Sequence, residues 1–158
     1  MFGQLNNEEI DELIKSQLVC RIGCHAEGII YVVPMSYAYD GPYIYGHTYE
    51  GKKIEMMRKN PRVCFEVDST RNLANWQSVI AWGEFEELNE KDDKAKALKI
   101  LNDRALPFLS SETMHLTPQW PFLSDINDIP GIFFRILLLE KTGRFEKNVT
   151  VNESSFSA

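Results

Sequence analysis

A strand that turns directly into a helix, within residues 43–61, constrains the fold of this chain more than any other stretch. Tyr43, Ile44 and Tyr45 are aromatic and β-branched residues that follow an Asp-Gly-Pro turn, which predicts a strand. From Ile54 onward the apolar residues have helical spacing and end at an Asn-Pro pair, which predicts a short helix. A polar corner with two glycines connects the two elements.

This corner, residues 46–53, has the chemistry of an anion site. The start of a helix presents free backbone N–H groups and the positive end of the helix dipole. Lys52 and Lys53 lie beside that start, so the corner is suited to a phosphate group. A plain strand–turn–helix connection with solvated lysines is the alternative, and the absence of a Walker or Rossmann glycine pattern keeps it open.

The composition indicates a single globular domain and excludes some partners. The chain has 158 residues, 44% of them hydrophobic and 25% charged, with a net charge of −6. An acidic protein is a poor general binder of nucleic acid, whereas a local basic run near residue 52 suits a small anionic ligand. Three cysteines, no signal-like leader and no long apolar run predict a cytoplasmic protein without a membrane segment.

Alternating apolar segments predict six or seven strands, linked mostly by short connections, with a few helices inserted. This pattern favours a mainly β fold, an antiparallel barrel, over a parallel α/β sheet. Pro34 marks an edge or a bulge in its strand, and Gly83 a kink. A helix is expected over residues 91–106, with Ala95, Leu98, Leu101 and Leu106 near its inner face. Residues 1–147 form the predicted domain, and 148–158 a flexible tail.

Residues 108–130 have three prolines and no hydrophobic period, so a long loop is expected. A loop this long in a compact domain, here with Trp120 and Phe122, indicates a lid, a partner arm or a binding loop. A metal site is not expected, because Cys24 and His25 are neighbours whose side chains point to opposite faces of a strand. His47 is the candidate catalytic residue because it lies next to the expected phosphate site; its structural alternative is a half-buried strand-end histidine bonded to backbone.

Five segments, taken in order, carry a family resemblance: Val-Pro-Met-Ser-Tyr (33–37), Asp-Gly (40–41), the strand–helix stretch (43–54), Asn-Pro-Arg-Val (60–63) and the Trp-rich strand (76–86). In this order they resemble the pyridoxamine 5′-phosphate oxidase-like flavoproteins, and they are most similar to the branch with the nitroimidazole-resistance proteins. The resemblance implies a split β-barrel of Greek-key type with peripheral helices. It also implies a homodimer with FMN bound in clefts at the subunit interface.

The resemblance assigns cofactor roles to eight positions. Lys52 and Lys53 match the basic pair that grips the FMN phosphate, and His47 and Thr48 match polar positions beside the phosphate and the ribityl chain. The positions assigned to the flavin ring are Met35, Ser36 and Tyr37, through the strand backbone, and Ser78, through its side chain.

The resemblance further implies a flavin-dependent oxidoreductase acting on a small compound, for example a nitroaromatic one. The chain has only Arg144 where the oxidases proper have an Arg-rich ending, which argues against oxidation of pyridoxamine phosphate. Two alternatives stay open at this point. One is a non-catalytic flavin- or haem-binding carrier or sensor of the same fold, and the other is a barrel that has lost its cofactor and serves as an interaction protein.

Overall fold

A computed structural model describes residues 1–104 and 125–148, and their eight strands form one antiparallel sheet. The strands are β1 (Phe2–Gln4), β2 (Val19–Ala26), β3 (Ile29–Ser36), β4 (Ala38–Tyr39), β5 (Tyr43–Thr48), β6 (Arg62–Asn72), β7 (Asn75–Glu87) and β8 (Ile132–Glu146). The helices are α1 (Asn7–Ser16), α2 (Lys52–Lys59) and α3 (Lys91–Asp103), with a 3₁₀ turn at Ile126–Asp128. β1 and β4 have only three and two residues. Six long strands remain, and the predicted mainly β fold is confirmed.

The order of the strands shows why the sheet closes on itself. The order is β3-β2-β6-β7-β8-β5-β4, and β1 pairs with β8. The two outermost strands, β3 and β4, are consecutive in the chain and separated by the single residue Tyr37. One residue cannot bridge a flat sheet of this width, because it spans less than about 4 Å. The sheet must therefore curl into a barrel that stays open between β3 and β4.

Helix α1 packs on this barrel through a short apolar stripe. Its N-terminus has a capping box, in which the Asn6 side chain accepts from the Glu9 N–H and Glu9 accepts from the Asn6 N–H. Ile10, Leu13 and Ile14 are buried in the main core, as their helical spacing predicts. Helix α1 therefore covers part of the barrel with its apolar face.

A second, smaller core lies between α3 and the other side of the sheet. It contains Tyr45 of β5 and Phe133 of β8, which pack with Ala97 and Leu101. The helix ends at Asp103 and not at residue 106, and Ala95 is exposed, so this part of the prediction is wrong. Ala97 and Leu101 are four residues apart and share one helix face, whereas a residue two positions from Ala97 points away from that face.

The structure tests the predictions made for Pro34 and Gly83. Pro34 lies in β3, which pairs only with β2 in the described part of the chain, and this edge position is confirmed. A register shift occurs between Trp82 and Gly83, where a kink is expected. Residues 108–124 of the predicted loop, with Trp120 and Phe122, lie outside the described residues, as do residues 149–158 of the predicted tail. No helix in the described residues is long and apolar enough to span a bilayer.

Candidate functional site at the corner between β5 and α2

The connection between β5 and α2, which we call the β5–α2 corner (Tyr49 to Lys53), has a bare helix start. Gly51 is the N-cap residue, its backbone is extended, and no side chain caps the first N–H groups of the helix. A Cβ atom on Gly51 would meet no atom within 4 Å. Neither backbone conformation nor internal packing therefore requires glycine here. Its effect is to leave the helix N-terminus open to an approaching anion.

The two lysines of the corner have no acidic partner within the described residues. The Nζ atom of Lys52 lies 5.1 Å from the centroid of the Tyr31 ring, a cation–π contact with β3. Lys53 is half-buried, and burial lowers the pKa of its ammonium group, although the thiols of Cys20 and Cys24 act in the opposite direction. Neither ammonium group forms an ion pair there. The positive charge of the corner is thus available to a ligand.

The other cations of α2 are already paired. Arg58 binds Glu50 and Glu87, with the shortest N–O distance 2.8 Å in each pair, and this pairing raises its pKa. Lys59 lies 3.2 Å from Glu27. These paired residues are in the last turn of the helix, where cations also complement the negative end of its dipole. The uncompensated charge is therefore concentrated at the start of α2 and not along the whole basic run.

His47 is held by the protein itself. Its Nε2 atom is 2.8 Å from the Pro130 carbonyl oxygen, and its ring centroid is 4.6 Å from that of Phe133. Burial lowers the pKa of the imidazole. Because Tyr45 belongs to the second core, the alternation of β5 places His47 on the α3 side of the sheet, away from the face that carries Thr48. These contacts are those of the structural alternative, a half-buried histidine bonded to backbone.

The residues assigned to the flavin ring on the β3 side offer mainly backbone. Met35 and Tyr37 are buried in the main core, and the Tyr37 hydroxyl donates to the Ile14 carbonyl. Their side chains are therefore core residues, which the alternation of buried positions could have indicated. Ser36 is half-buried. In the described chain, the second edge of β3 has no neighbouring strand, so its backbone groups on that side are free for a ligand.

Ser78 lies far along the barrel from the corner. It is opposite Arg144, near the end of β8, whereas Thr48 is opposite Ile132, at the start of β8. Twelve residues separate these two positions of β8, a contour length of about 40 Å at the usual rise of a strand. Ser78 is half-buried on the side of β7 that faces away from the buried Val79. The register of the sheet therefore gives no contact between Ser78 and the lysines within one subunit.

A feature that the sequence reasoning missed is an apolar groove on the outside of the sheet. Val32, Gly23, Cys64 and Trp82 form one row across β3, β2, β6 and β7. Gly23 and Cys64 are the two small residues in the middle of this row. The cavity above them has a volume of about 520 Å³. Val32 is 63% exposed and Trp82 43% exposed. The continuous apolar run of β3 could have indicated this groove, because a strand that is apolar throughout is usually covered on both of its faces.

Gly23 has room for a side chain inside its own subunit. A Cβ atom there would be 3.6 Å from the Cys64 Cβ, an ordinary van der Waals contact. Its backbone is not in the left-handed region, so conformation does not require glycine either. Glycine within a strand is otherwise unfavourable and often marks a place where another molecule comes close. We call this surface, with Ile30 and Ile80, the outer sheet face.

Comparisons with known proteins agree on one family. The family model described as pyridoxamine 5′-phosphate oxidase matches residues 6–119 of this chain. An uncharacterized protein of Rhizobium meliloti is 30% identical over 84 residues, which cover 53% of this chain and 56% of that protein. The match thus spans little more than half the length of this curated relative.

Solved structures extend the likeness over most of the chain. A FAD-binding protein from Mesorhizobium loti is 30% identical, with a TM-score of 0.71, and the match covers 93% of this chain and 99% of that one. A candidate 5-nitroimidazole antibiotic resistance protein from Bacteroides thetaiotaomicron has a TM-score of 0.69 at 21% identity, covering 92% of this chain and 87% of that one. The second likeness concerns the fold alone.

Proposed function

Because the chain belongs to the pyridoxamine 5′-phosphate oxidase family, we propose that it binds a flavin, FMN, with the phosphate at the β5–α2 corner. The observation that carries this proposal is the bare start of α2 beside Lys52 and Lys53, which have no carboxylate partner in residues 1–104 and 125–148. A bound phosphate needs cations and N–H donors, and this corner offers both.

FMN is a better match to the corner than FAD. FMN ends in a phosphate monoester with close to two negative charges, and two adjacent lysines complement one compact dianion. FAD distributes its charge over two phosphoryl groups and adds an adenosine, for which the described residues offer no evident site. The relative from Mesorhizobium loti is named a FAD-binding protein, so FAD belongs in the same titration as FMN.

The partner proposed for the outer sheet face is a second copy of this chain. Large apolar side chains are exposed there, including Ile30 at 78% and Trp82 at 43%, and a soluble surface rarely leaves such a patch uncovered. The groove is also lined by charges of both signs, Arg21, Arg62 and Glu66. Such a mixed surface can pair with itself across a two-fold axis. A dimer would also allow Ser78 of one subunit to approach a flavin held at the corner of the other.

The chemistry follows from the proposed cofactor. A bound flavin supplies the hydride or electron transfer itself. In this chain, Lys52 and Lys53 would anchor its phosphate, and the free edge of β3 would present backbone groups to the ring. We favour an oxidoreductase for a small compound; a compound bearing a nitro group is suggested only by analogy of fold with the Bacteroides protein.

A carrier or sensor of flavin or haem is the second candidate, and one observation favours it. The Nε2 atom of His47, the imidazole nearest the corner in sequence, is bonded to the Pro130 carbonyl oxygen, so this nitrogen is not free to exchange a proton with a substrate. The two candidates differ in a single measurement. Flavin-loaded protein reduced with dithionite is mixed with a nitroaromatic compound. An enzyme is reoxidised much faster than free reduced FMN, whereas a carrier is not.

The test of the phosphate site uses two flavins that differ only in the phosphate. Hydrogen bonds to charged groups contribute about 1.5–3 kcal/mol each, so the double substitution Lys52→Ala/Lys53→Ala should weaken FMN binding about a hundredfold or more. Riboflavin binding should change little, because riboflavin lacks the phosphate. The absorption spectrum of the purified protein, recorded before any addition, identifies a flavin or a haem that copurifies. Equal weakening for both flavins, or no weakening, would refute the site.

A further inference from the structure

Arg58 is the most completely paired cation of the described chain. Its Nε and Nη2 atoms donate to Glu87, both at 2.8 Å, and its Nη1 and Nη2 atoms donate to Glu50, at 2.9 and 2.8 Å. Both pairs are bidentate, the geometry that makes an arginine–carboxylate contact specific as well as favourable. Glu87 is at the end of β7, so the guanidinium is anchored to the barrel independently of Glu50.

Glu50 is the acidic residue that would interfere most with the binding of an anion at this corner. It directly precedes Gly51, and only Gly51 and Lys52 separate it from Lys53. Its side chain is 64% exposed, so without a partner it could move freely. A carboxylate near a helix N-terminus is favourable by itself, since the dipole and the free N–H groups attract it. A free Glu50 would therefore compete with a phosphate for the same cations and donors.

We propose that Arg58 is a positioning residue for the anion site, because it holds the Glu50 carboxylate away from Lys52, Lys53 and the start of α2. This inference rests on the proposed function, since it assumes that the corner binds a phosphate. Arg58 holds Glu50 through its positive charge and through the geometry of its contacts. Two bidentate contacts use four of the five N–H groups of the guanidinium, and the anchor at Glu87 determines where Glu50 is held.

The test separates this role from a merely structural one. Arg58→Met releases Glu50, and it should weaken FMN binding about tenfold while riboflavin binding stays within about twofold. Arg58→Met/Glu50→Gln removes the competing charge as well, and it should return FMN affinity to within about threefold of wild type. The double variant still leaves Glu87 without its arginine. A recovery of affinity therefore cannot come from restored packing or stability.

Arg135 offers a matched control. It makes a similar bidentate contact with Glu86, at 2.7 and 3.2 Å, but it does not touch the corner. Arg135→Met should leave the ratio of FMN to riboflavin affinity unchanged. Urea unfolding of all variants checks that each is folded at the temperature of the titration.

The outcomes distinguish the two levels of the proposal. A wild-type protein that binds FMN and riboflavin equally well refutes the phosphate site, and the role of Arg58 with it. A wild type that prefers FMN, with an Arg58→Met variant that keeps the full preference, refutes the role of Arg58 alone. Loss of the preference without recovery in the double variant also refutes it, because competition by Glu50 is then not the cause. The predicted loss and recovery together support it.

Discussion

Replacement of Gly51 by alanine tests whether the bare start of α2 serves a ligand or the fold. The added methyl group meets no atom of the subunit within 4 Å, and the extended backbone suits any residue. Alanine reduces the entropy of the unfolded chain, which stabilises a protein by about 0.4–1 kcal/mol. Glycine is clearly better than alanine at an N-cap, which offsets this gain. We expect a change in unfolding free energy below about 1 kcal/mol.

The effect on binding should be much larger than the effect on stability. A methyl group at the N-cap lies where a phosphate would contact the first N–H groups of the helix. Loss of one such contact to a charged group costs about 1.5–3 kcal/mol, which corresponds to a factor of about 10 to 150 in the dissociation constant of FMN. Riboflavin should bind Gly51→Ala as it binds the wild type.

The assay is a fluorescence titration of both proteins with both flavins, together with thermal unfolding. A change of 1 kcal/mol would shift Tm by about 2–4 °C in a protein of this size. Unchanged FMN binding by a stable Gly51→Ala protein would contradict the proposed contact with the helix N-terminus. A drop in Tm well beyond this range would show instead that glycine is needed by the fold.

Three further predictions concern other parts of the protein. Gly46→Ala would place a Cβ atom 2.4 Å from Cζ of the buried Phe134, so it should destabilise the protein by about 1–3 kcal/mol in urea unfolding, and an unchanged midpoint would contradict this packing. Trp82→Asp, on the outer sheet face, should weaken self-association at least about tenfold in sedimentation while the subunit stays folded; an unaltered dimer would place the interface elsewhere. Burial lowers the pKa of His47 from 6.5, so the unfolded chain binds the proton more readily, and this contribution to stability is present above about pH 6.5 and is lost as pH falls towards the folded-state pKa. His47→Gln should therefore lose less stability than wild type between pH 7 and pH 5, and parallel pH profiles would contradict the role of burial.

Local patterns in the sequence were sufficient to predict most elements of the fold. The Asp40–Gly41 turn is decided by neighbouring residues and the edge position of Pro34 is favoured by its missing N–H, and the structure has both. The strand–helix corner with its lysines is likewise a local feature. The segment order that resembles the family led to the same fold that the comparisons support.

The environments of single residues could not be predicted in this way, because contacts between distant segments create them. His47 precedes Lys52 by only five residues, yet its ring is bonded to the carbonyl oxygen of Pro130, more than eighty residues away. The same holds for Tyr37, whose hydroxyl bonds to the Ile14 carbonyl of α1. A role as ligand or as core residue depends on such partners.

The sequence by itself determined which segments form strands and helices and where positive charge is concentrated, since backbone propensity, hydrophobic period and charge are local properties. Only the tertiary structure decided which of those charges remain available. Arg58 and Lys59 look no different from Lys52 and Lys53 in the sequence, but Glu87 and Glu27 reach the first pair through the folding of distant strands. The apolar row Val32–Gly23–Cys64–Trp82 also exists only in the sheet, because its register aligns four strands that are far apart in the chain.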